Sequence, residues 1–267
     1  MSKRLVILSG PACVGKGPMK AAIDRFFPEI CYADIPVIKS KESRPNGPRP
    51  GEEKIWNDPG FFRTKEELNE LKPNPQYLVS ECRGLPQALD LSKVAQSVAD
   101  VVFIEVYHTL GSQLKESKHL AKYLAGIEVT SVFISPLSKL EILDLKQCDV
   151  NLSLHLKGIM LSKLTTRSRF MGDTLTPATV KDLVKRSLDA YAELADAYRY
   201  SLVIVNRDGE GSSNWNRSPR SFFINRPEGD AMRASTALAS ILAGDTCPPH
   251  TEVWNEDVMH EDSLTTW

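Results

Sequence analysis

The chain has 267 residues and an almost balanced charge, with 33 Lys and Arg residues against 34 Asp and Glu residues. This balance excludes a strong positive electrostatic field that would attract nucleic acid or anionic membranes to the whole protein. Hydrophobic residues make up 42% of the chain and charged residues 25%, values typical of a globular protein that buries a full core. The five cysteines are scattered without a CxxC pair, which favours reduced thiols over a disulfide framework or a zinc site.

Residues 5–16 read LVILSGPACVGK, an apolar run followed by a glycine loop. The order strand, glycine loop and helix is typical of a phosphate-binding P-loop, GxxxxGK, in which backbone N–H groups point at phosphate oxygens. The lysine then places a positive charge on the terminal phosphates, although Gly17 stands where a Ser or Thr normally follows it. The alternative is an ordinary glycine turn. The residues predicted to hold donor phosphates are Gly10, Pro11, Ala12, Cys13, Val14, Gly15, Lys16 and Gly17.

Apolar runs bounded by turn residues recur along the chain as candidate strands. They lie at 5–8, 77–79, 101–106, 129–134 and 201–205. Segments with helical character alternate with them, at 16–27, 64–72, 91–98, 137–147, 177–199 and 230–243. This alternation predicts an α/β fold with a mostly parallel sheet that helices cover on both faces.

The clearest helix signal lies at 177–199. Thr176 can cap this helix, and Pro177 suits its first turn. Its predicted buried face consists of Val180, Leu183, Val184, Leu188, Tyr191 and Ala195. The stretch 207–229 is rich in Gly, Ser, Asn, Pro and Arg and is typical of a long loop, and residues 244–267 are predicted to form a tail.

Three further segments occur in the order found in guanylate kinases. Residues 43–52, SRPNGPRPGE, resemble the segment SRxPRxGE that holds the acceptor nucleotide in that family. Residues 166–194 are similar to its arginine lid and the helix that follows, and LVIVN at 202–206 is similar to its last strand. The opening LVILSGPACVGKG also resembles the family's LIVLSGPSGVGKST. The chain thus resembles a divergent guanylate kinase-like nucleoside monophosphate kinase.

This resemblance implies a P-loop NTPase fold and a particular organisation of the chain. Residues 1–243 would form the domain, with an acceptor-binding insertion near 35–95 and a lid near 145–175, followed by the tail at 244–267. The resemblance also implies ATP and Mg²⁺ as cofactors and a nucleoside monophosphate as substrate. No apolar run approaches about 18 residues, and the first strand begins too early to leave room for a signal peptide, so we expect a soluble cytoplasmic protein.

On the acceptor side, the resemblance implies that Ser43, Arg44 and Arg49 bind the phosphate of the substrate. Arginine forks suit phosphate because they bind it with two parallel hydrogen bonds. The alternative is a solvated turn with incidental arginines. Glu81 and Glu105 are expected at strand ends, where ligand crevices of open α/β sheets occur. Glu81 could read donor groups on a base edge, and Glu105 could hold Mg²⁺ through water or orient an arginine. The alternative is an exposed carboxylate without a role.

The resemblance implies an arginine lid, in which Arg167 and Arg169, with Arg186 on the following helix, close over the donor and acceptor phosphates. Lys16 is predicted to contact the donor phosphates. Phosphoryl transfer needs positioning and charge neutralisation more than covalent chemistry, and a lid of arginines supplies both. The alternative is a basic helix end that is solvated or paired with nearby aspartates. Asn206 corresponds to the family asparagine that lies near the donor adenine.

Departures from the family pattern leave the acceptor open. The two acceptor arginines are two residues further apart than in SRxPR, and RGLPQAL at 83–89 replaces the family motif GxxYG. Two other functions therefore remain. One is a catalytically weak guanylate kinase-like binding module, and the other is a P-loop kinase for a different small phosphate acceptor.

Overall fold

The computed structural model describes residues 3–44, 47–48, 51–116, 121–218 and 224–259. The strands in these ranges are β1 (Lys3–Ser9), β2 (Ala33–Asp34), β3 (Ile38–Ser40), β4 (Phe62–Arg63), β5 (Tyr77–Cys82), β6 (Leu85–Asp90), β7 (Val101–Glu105), β8 (Ile127–Ser135), β9 (Leu202–Val205) and β10 (Thr251–Glu252). The helices are α1 (Lys16–Phe26), α2 (Lys65–Glu70), α3 (Leu91–Gln96), α4 (His108–Glu116), α5 (Ala121–Leu124), α6 (Lys139–Gln147), α7 (Leu152–Met171), α8 (Pro177–Ala195) and α9 (Gly229–Ala243).

The chain divides into two compact units, each built from two stretches of sequence. The first unit comprises Met1–Ser9 and Cys31–Ser131, and the second comprises Gly10–Ile30 and Val132–Trp267. The boundary in the N-terminal part falls where β1 ends and the glycine loop begins.

Parallel strands form the centre of the first unit. β1 pairs in parallel with β7, with Leu8 opposite Glu105, and β7 pairs in parallel with β2. The side chains of β1 and β7 are almost all buried. Their continuous apolar runs predicted this burial, because such runs are typical of strands that are covered on both faces. The buried core on one side of this sheet is formed mainly by Leu5, Ile7, Leu89, Leu91, Val102, Ile104 and Leu110.

The first unit also contains a separate four-stranded sheet in the order β4-β3-β6-β5. β5 and β6 form an antiparallel hairpin whose two turn residues, Arg83 and Gly84, have φ values of 55° and 82°. Positive φ at both positions is typical of the type I′ turn, whose twist matches that of a hairpin. The strand predicted at 77–79 therefore exists, but its expected place in the parallel sheet is wrong.

In the second unit, β8 pairs in parallel with β9 from Val132 onward, and β10 pairs antiparallel with β9. Trp254, just after β10, is buried, so this part of the predicted tail packs on the unit. The predicted α/β class with a parallel sheet core is confirmed, and it is consistent with a P-loop NTPase fold.

The predicted helices occur close to their expected positions, and local sequence explains where they begin. Thr64 and Ser138 form capping boxes with Glu67 and Glu141 at the starts of α2 and α6. The hydroxyl of Thr176 accepts a hydrogen bond from the backbone N–H of the third residue of α8, which confirms the predicted cap.

The predicted buried face of α8 is wrong in part. Val180 and Leu188 are 42% and 53% exposed, whereas Leu183, Ala190 and Leu194 are buried. α8 packs against α7, and this neighbour decides which stripe of the helix is covered.

Helix α7 was not predicted. It runs for 20 residues from the cap at Asn151 to Gly172, which ends it in the left-handed conformation with φ 73°. Its buried residues are spaced by four, but exposed leucines such as Leu154 on other faces obscure the helical pattern. None of the helices among the described residues is long and apolar enough to span a membrane.

Candidate phosphate-binding site

The glycine loop joins the end of β1 at Ser9 to the start of α1 at Lys16. Gly10 has φ 142°, and a Cβ at this position would lie 2.5 Å from the carbonyl oxygen of Ile134. Gly15 caps α1 with φ 94°. Both positions therefore require glycine, because a side chain would be strained and would clash.

Two buried side chains from the segment after β9, Asn206 and Trp215, pack against the glycine loop. A Cβ at Gly15 would lie 2.6 Å from Asn206 Nδ2 and 2.7 Å from Trp215 Cζ2, and both of these side chains are fully buried. Asn206 Nδ2 donates to the backbone oxygen of Val14 at 2.7 Å, and Trp215 Nε1 donates to the backbone oxygen of Gly209 at 3.0 Å. Asn206 thus supports the loop backbone, and its expected position near an adenine stays a prediction.

The ammonium group of Lys16 lies over the beginning of the loop. Its Nζ donates to the backbone oxygens of Gly10 and Pro11 at 2.7 and 2.9 Å. The positive charge, the N–H groups of the loop and the N-terminus of the 11-residue helix α1 are therefore close together. This combination fits the phosphate chain of a nucleotide, because each part favours negative charge.

Cys13 occupies a strained position within the loop. Its φ is 67°, a left-handed conformation that non-glycine residues rarely adopt, and its side chain is buried. Burial, reinforced by the charge of Glu210, raises the pKa of the Cys13 thiol to about 11. The thiol is therefore neutral at physiological pH and serves as a packing group.

The backbone of Cys13 leads to a testable prediction. Cys13→Gly is expected to be more stable than Cys13→Ala, with a free energy of unfolding about 1 kcal/mol higher, because only glycine adopts this conformation without strain. Urea denaturation of the two variants measures the difference. At Cys148, which is exposed and has φ −89°, the order should reverse, with alanine the more stable. Equal stability at position 13 would contradict the strain assigned to this loop.

One of the three predicted lid arginines, Arg167, lies beside the glycine loop. Arg167 Nη1 lies 3.8 Å from the sulfur of Cys13. Arg186 forms an ion pair with Asp182 at 2.9 Å, as the alternative interpretation expected, but its positive charge is also close enough to lower the pKa of the Cys13 thiol. The structure therefore brings Arg167 to the loop, and the role of Arg186 at the phosphates stays a prediction.

Arg169 does not join them. It lies two residues after Arg167 on the continuous helix α7 and is exposed. Residues two apart on a helix point in nearly opposite directions, so the two arginines cannot approach the loop from the same face. The role of Arg169 at the phosphates stays a prediction.

Sequence reasoning missed Glu210 and Arg217, which complete the surroundings of Arg167. Glu210 Oε2 lies 2.8 Å from Arg167 Nε, and this charge holds the pKa of Arg167 above its ordinary range. Burial lowers the pKa of Arg217, and the negative charge of Glu210 opposes this effect. The one local signal for Glu210 is the pair of glycines that flank it directly after the last parallel strand.

The described residues form no comparable binding site for a divalent metal ion. Gly17 carries no side-chain oxygen, and among the described residues no group of three or more His, Cys, Asp or Glu is placed to hold a metal ion. Because Mg²⁺ binds oxygen ligands in near-octahedral geometry, we assign it no residue of this chain.

The predicted acceptor segment lies in the first unit and is organised around Arg44. Its Nε and Nη2 donate to Glu52 at 2.8 and 2.7 Å, and its Nη1 donates to Ser43 Oγ at 3.2 Å. The guanidinium carbon also lies 5.7 Å from the centre of the Phe62 ring. Ser43 and Arg44 are thus brought together, whereas Arg49 lies outside the described residues.

The two predicted carboxylates occupy different sheets of the first unit. Glu105 ends β7 and is exposed, which is the expected position at the carboxyl end of a parallel strand. Glu81 lies on the antiparallel strand β5, opposite Pro86, so its expected position at the end of a parallel strand is wrong. Their roles in binding substrate stay predictions.

Comparison with known proteins finds two guanylate kinases to which the chain is similar. No family model matches the chain. A guanylate kinase from Synechococcus sp. (strain JA-3-3Ab) is 34% identical to this chain over 109 residues. The match covers 39% of this chain and 46% of that protein, so the chain spans about half the length of this curated relative. The crystal structure of guanylate kinase from Anaplasma phagocytophilum has 14% sequence identity and a TM-score of 0.47, over 94% of this chain and 89% of that chain. The chain is thus similar, over part of its length, to a guanylate kinase.

Proposed function

We propose that this chain transfers the terminal phosphoryl group of ATP to a nucleoside monophosphate. The observation that carries the proposal is the position of Lys16, whose Nζ lies 2.7 Å from the backbone oxygen of Gly10 at the N-terminus of α1. A buried asparagine and tryptophan fix the glycine loop in this geometry. The sequence relative that is a guanylate kinase supports the same class of reaction.

In this proposal ATP, when bound, supplies the activated phosphoryl group, and the protein positions it and neutralises its charge. The loop N–H groups and Lys16 bind the phosphates at the start of α1, where the helix dipole favours negative charge. Arg167 adds positive charge beside the loop, and we assign Arg186 on α8 to the same phosphates. Preorganised cations of this kind stabilise the charge of the transferring group in the transition state.

On the acceptor side, Arg44 is proposed to bind the phosphate of the monophosphate. Its guanidinium is already oriented by Glu52 and by the ring of Phe62, and its side chain is only 10% exposed. Nη2 donates only one of its two N–H groups to Glu52, so a guanidinium held in this way can offer the second to a phosphate oxygen without further loss of side-chain entropy.

Arg44→Met is therefore expected to raise the KM of the acceptor by about tenfold or more, while the KM of ATP changes by less than about twofold. Steady-state kinetics with one substrate varied at a time measures both constants. Arg44→Lys keeps the charge but loses the fork, and should show an intermediate increase. Arg63→Met, which removes another arginine of the same unit, is the control. Equal increases in the KM of the acceptor and the KM of ATP would contradict a role of Arg44 that is specific to the acceptor.

The identity of the ligands can be tested with a thermal-shift panel of nucleoside mono- and triphosphates, because a ligand that binds only the native state raises its stability. A coupled assay for ADP production then tests transfer with each monophosphate that binds. A binding module is the second candidate, favoured by the missing hydroxyl at Gly17 and by the pairing of Arg44 with Glu52. Binding of both nucleotides without any turnover would select that candidate.

A further inference from the structure

The segment 208–211 lies between the glycine loop and helix α7. The backbone N–H of Glu210 donates to the carbonyl oxygen of Cys13 at 3.1 Å. A Cβ at Gly209 would lie 3.0 Å from Lys163 Cγ, and a Cβ at Gly211 would lie 2.9 Å from the backbone nitrogen of Arg167. The two glycines thus allow the segment to touch the loop on one side and α7 on the other.

The side chain of Glu210 holds one edge of the Arg167 guanidinium. Its Oε2 lies 2.8 Å from Nε in an ion pair, with the two side chains 20% and 25% exposed. The Nη1 group of Arg167 lies instead on the side of the glycine loop, 3.8 Å from Cys13 Sγ. The carboxylate thus lies at the Nε edge of the guanidinium while Nη1 faces the loop.

Glu210 is itself fixed by its backbone and by a second arginine. Arg217 Nη2 donates to the carbonyl oxygen of Glu210 at 2.6 Å, and its guanidinium carbon lies 5.2 Å from the centre of the Phe170 ring on α7. The carboxylate is also a counter-charge for Arg167 and Arg217. The position of Glu210 is thus fixed by a backbone contact with the glycine loop and by Arg217, which packs on α7.

We propose that Glu210 is a positioning residue, which holds Arg167 in the orientation that binds the terminal phosphate of ATP in the glycine loop. This inference rests on the proposed function. An arginine oriented in advance binds a phosphate without losing rotamer freedom, so removal of Glu210 should weaken the contribution of Arg167 without removing Arg167 itself.

The test is calorimetric titration of the full chain with ATP and with ADP. Glu210→Ala is expected to weaken ATP binding by about tenfold and ADP binding by less than about twofold, because Arg167 is assigned to the terminal phosphate. Glu210→Gln keeps an acceptor oxygen and should fall between Glu210→Ala and the natural chain. Glu228→Ala, which removes a carboxylate from the start of α9, is the matched control. Thermal melting of each variant establishes that it is folded.

A double-mutant cycle separates positioning from a general structural role. If Glu210 acts through Arg167, the variant Arg167→Met/Glu210→Ala should bind ATP within about twofold of Arg167→Met alone. Additive losses, or equal weakening of ATP and ADP, would overturn the positioning role while leaving the proposed function intact. Failure of the natural chain to bind ATP would overturn the proposed function and this inference with it.

Discussion

Lys16→Met is expected to lower the rate of phosphoryl transfer by about 1,000-fold, or roughly 4 kcal/mol of barrier, while the chain stays folded. The physical reason is that the ammonium group is the positive charge held directly over the loop, by the carbonyl oxygens of Gly10 and Pro11. Methionine has a similar shape but carries no charge, so the loss reports the electrostatic contribution. The measurement is kcat/KM for ATP in the coupled assay.

Lys185→Met is the matched control, because it removes an exposed lysine of the same unit. It should leave kcat/KM within about twofold of the natural chain. The melting temperature of Lys16→Met should fall by no more than about 5 °C, since the hydrogen bonds of this part-buried side chain to the loop carbonyls contribute modestly to stability. A loss of activity of less than about tenfold would contradict the role of Lys16 at the phosphates.

Gly15→Ala is expected to lower the free energy of unfolding by about 3 kcal/mol, because two unfavourable effects coincide. Alanine is strained at φ 94°, and its Cβ would lie within 2.7 Å of Asn206 and Trp215, which are fully buried and cannot move aside cheaply. The displaced loop should also fail to bind ATP. Urea denaturation measures the stability, and the thermal shift with ATP measures binding.

Gly17→Ala tests whether the effect belongs to position 15 or to any added methyl group in this part of the chain. No atom lies within 4 Å of a Cβ built at Gly17. Its stability should therefore stay within about 1 kcal/mol of the natural chain, since the gain in helix propensity is opposed by the following Pro18. Similar losses for the two variants would show that Asn206 and Trp215 do not confine Gly15 as the structure indicates.

The candidate site divides into a part that sequence predicts and a part that it does not. The glycine loop and Lys16 are contiguous, and their chemistry depends on a spacing of a few residues, so the motif is visible without a fold. Arg167 could be proposed only through the family resemblance. Glu210 could not be proposed at all, because its partners Cys13 and Arg167 are far away along the chain.

The sequence by itself determined where most elements begin and end, because caps, glycines and apolar runs act over a few residues. The glycine loop, the start of α8 at Thr176 and the buried strand β1 are examples. Tertiary packing decided which surfaces are covered, since that depends on a neighbour. The contact with α7 buries Leu183 and leaves Leu188 exposed on α8. Close approach at Gly209 and Gly211, possible because glycine has no side chain, likewise sets Glu210 against Arg167.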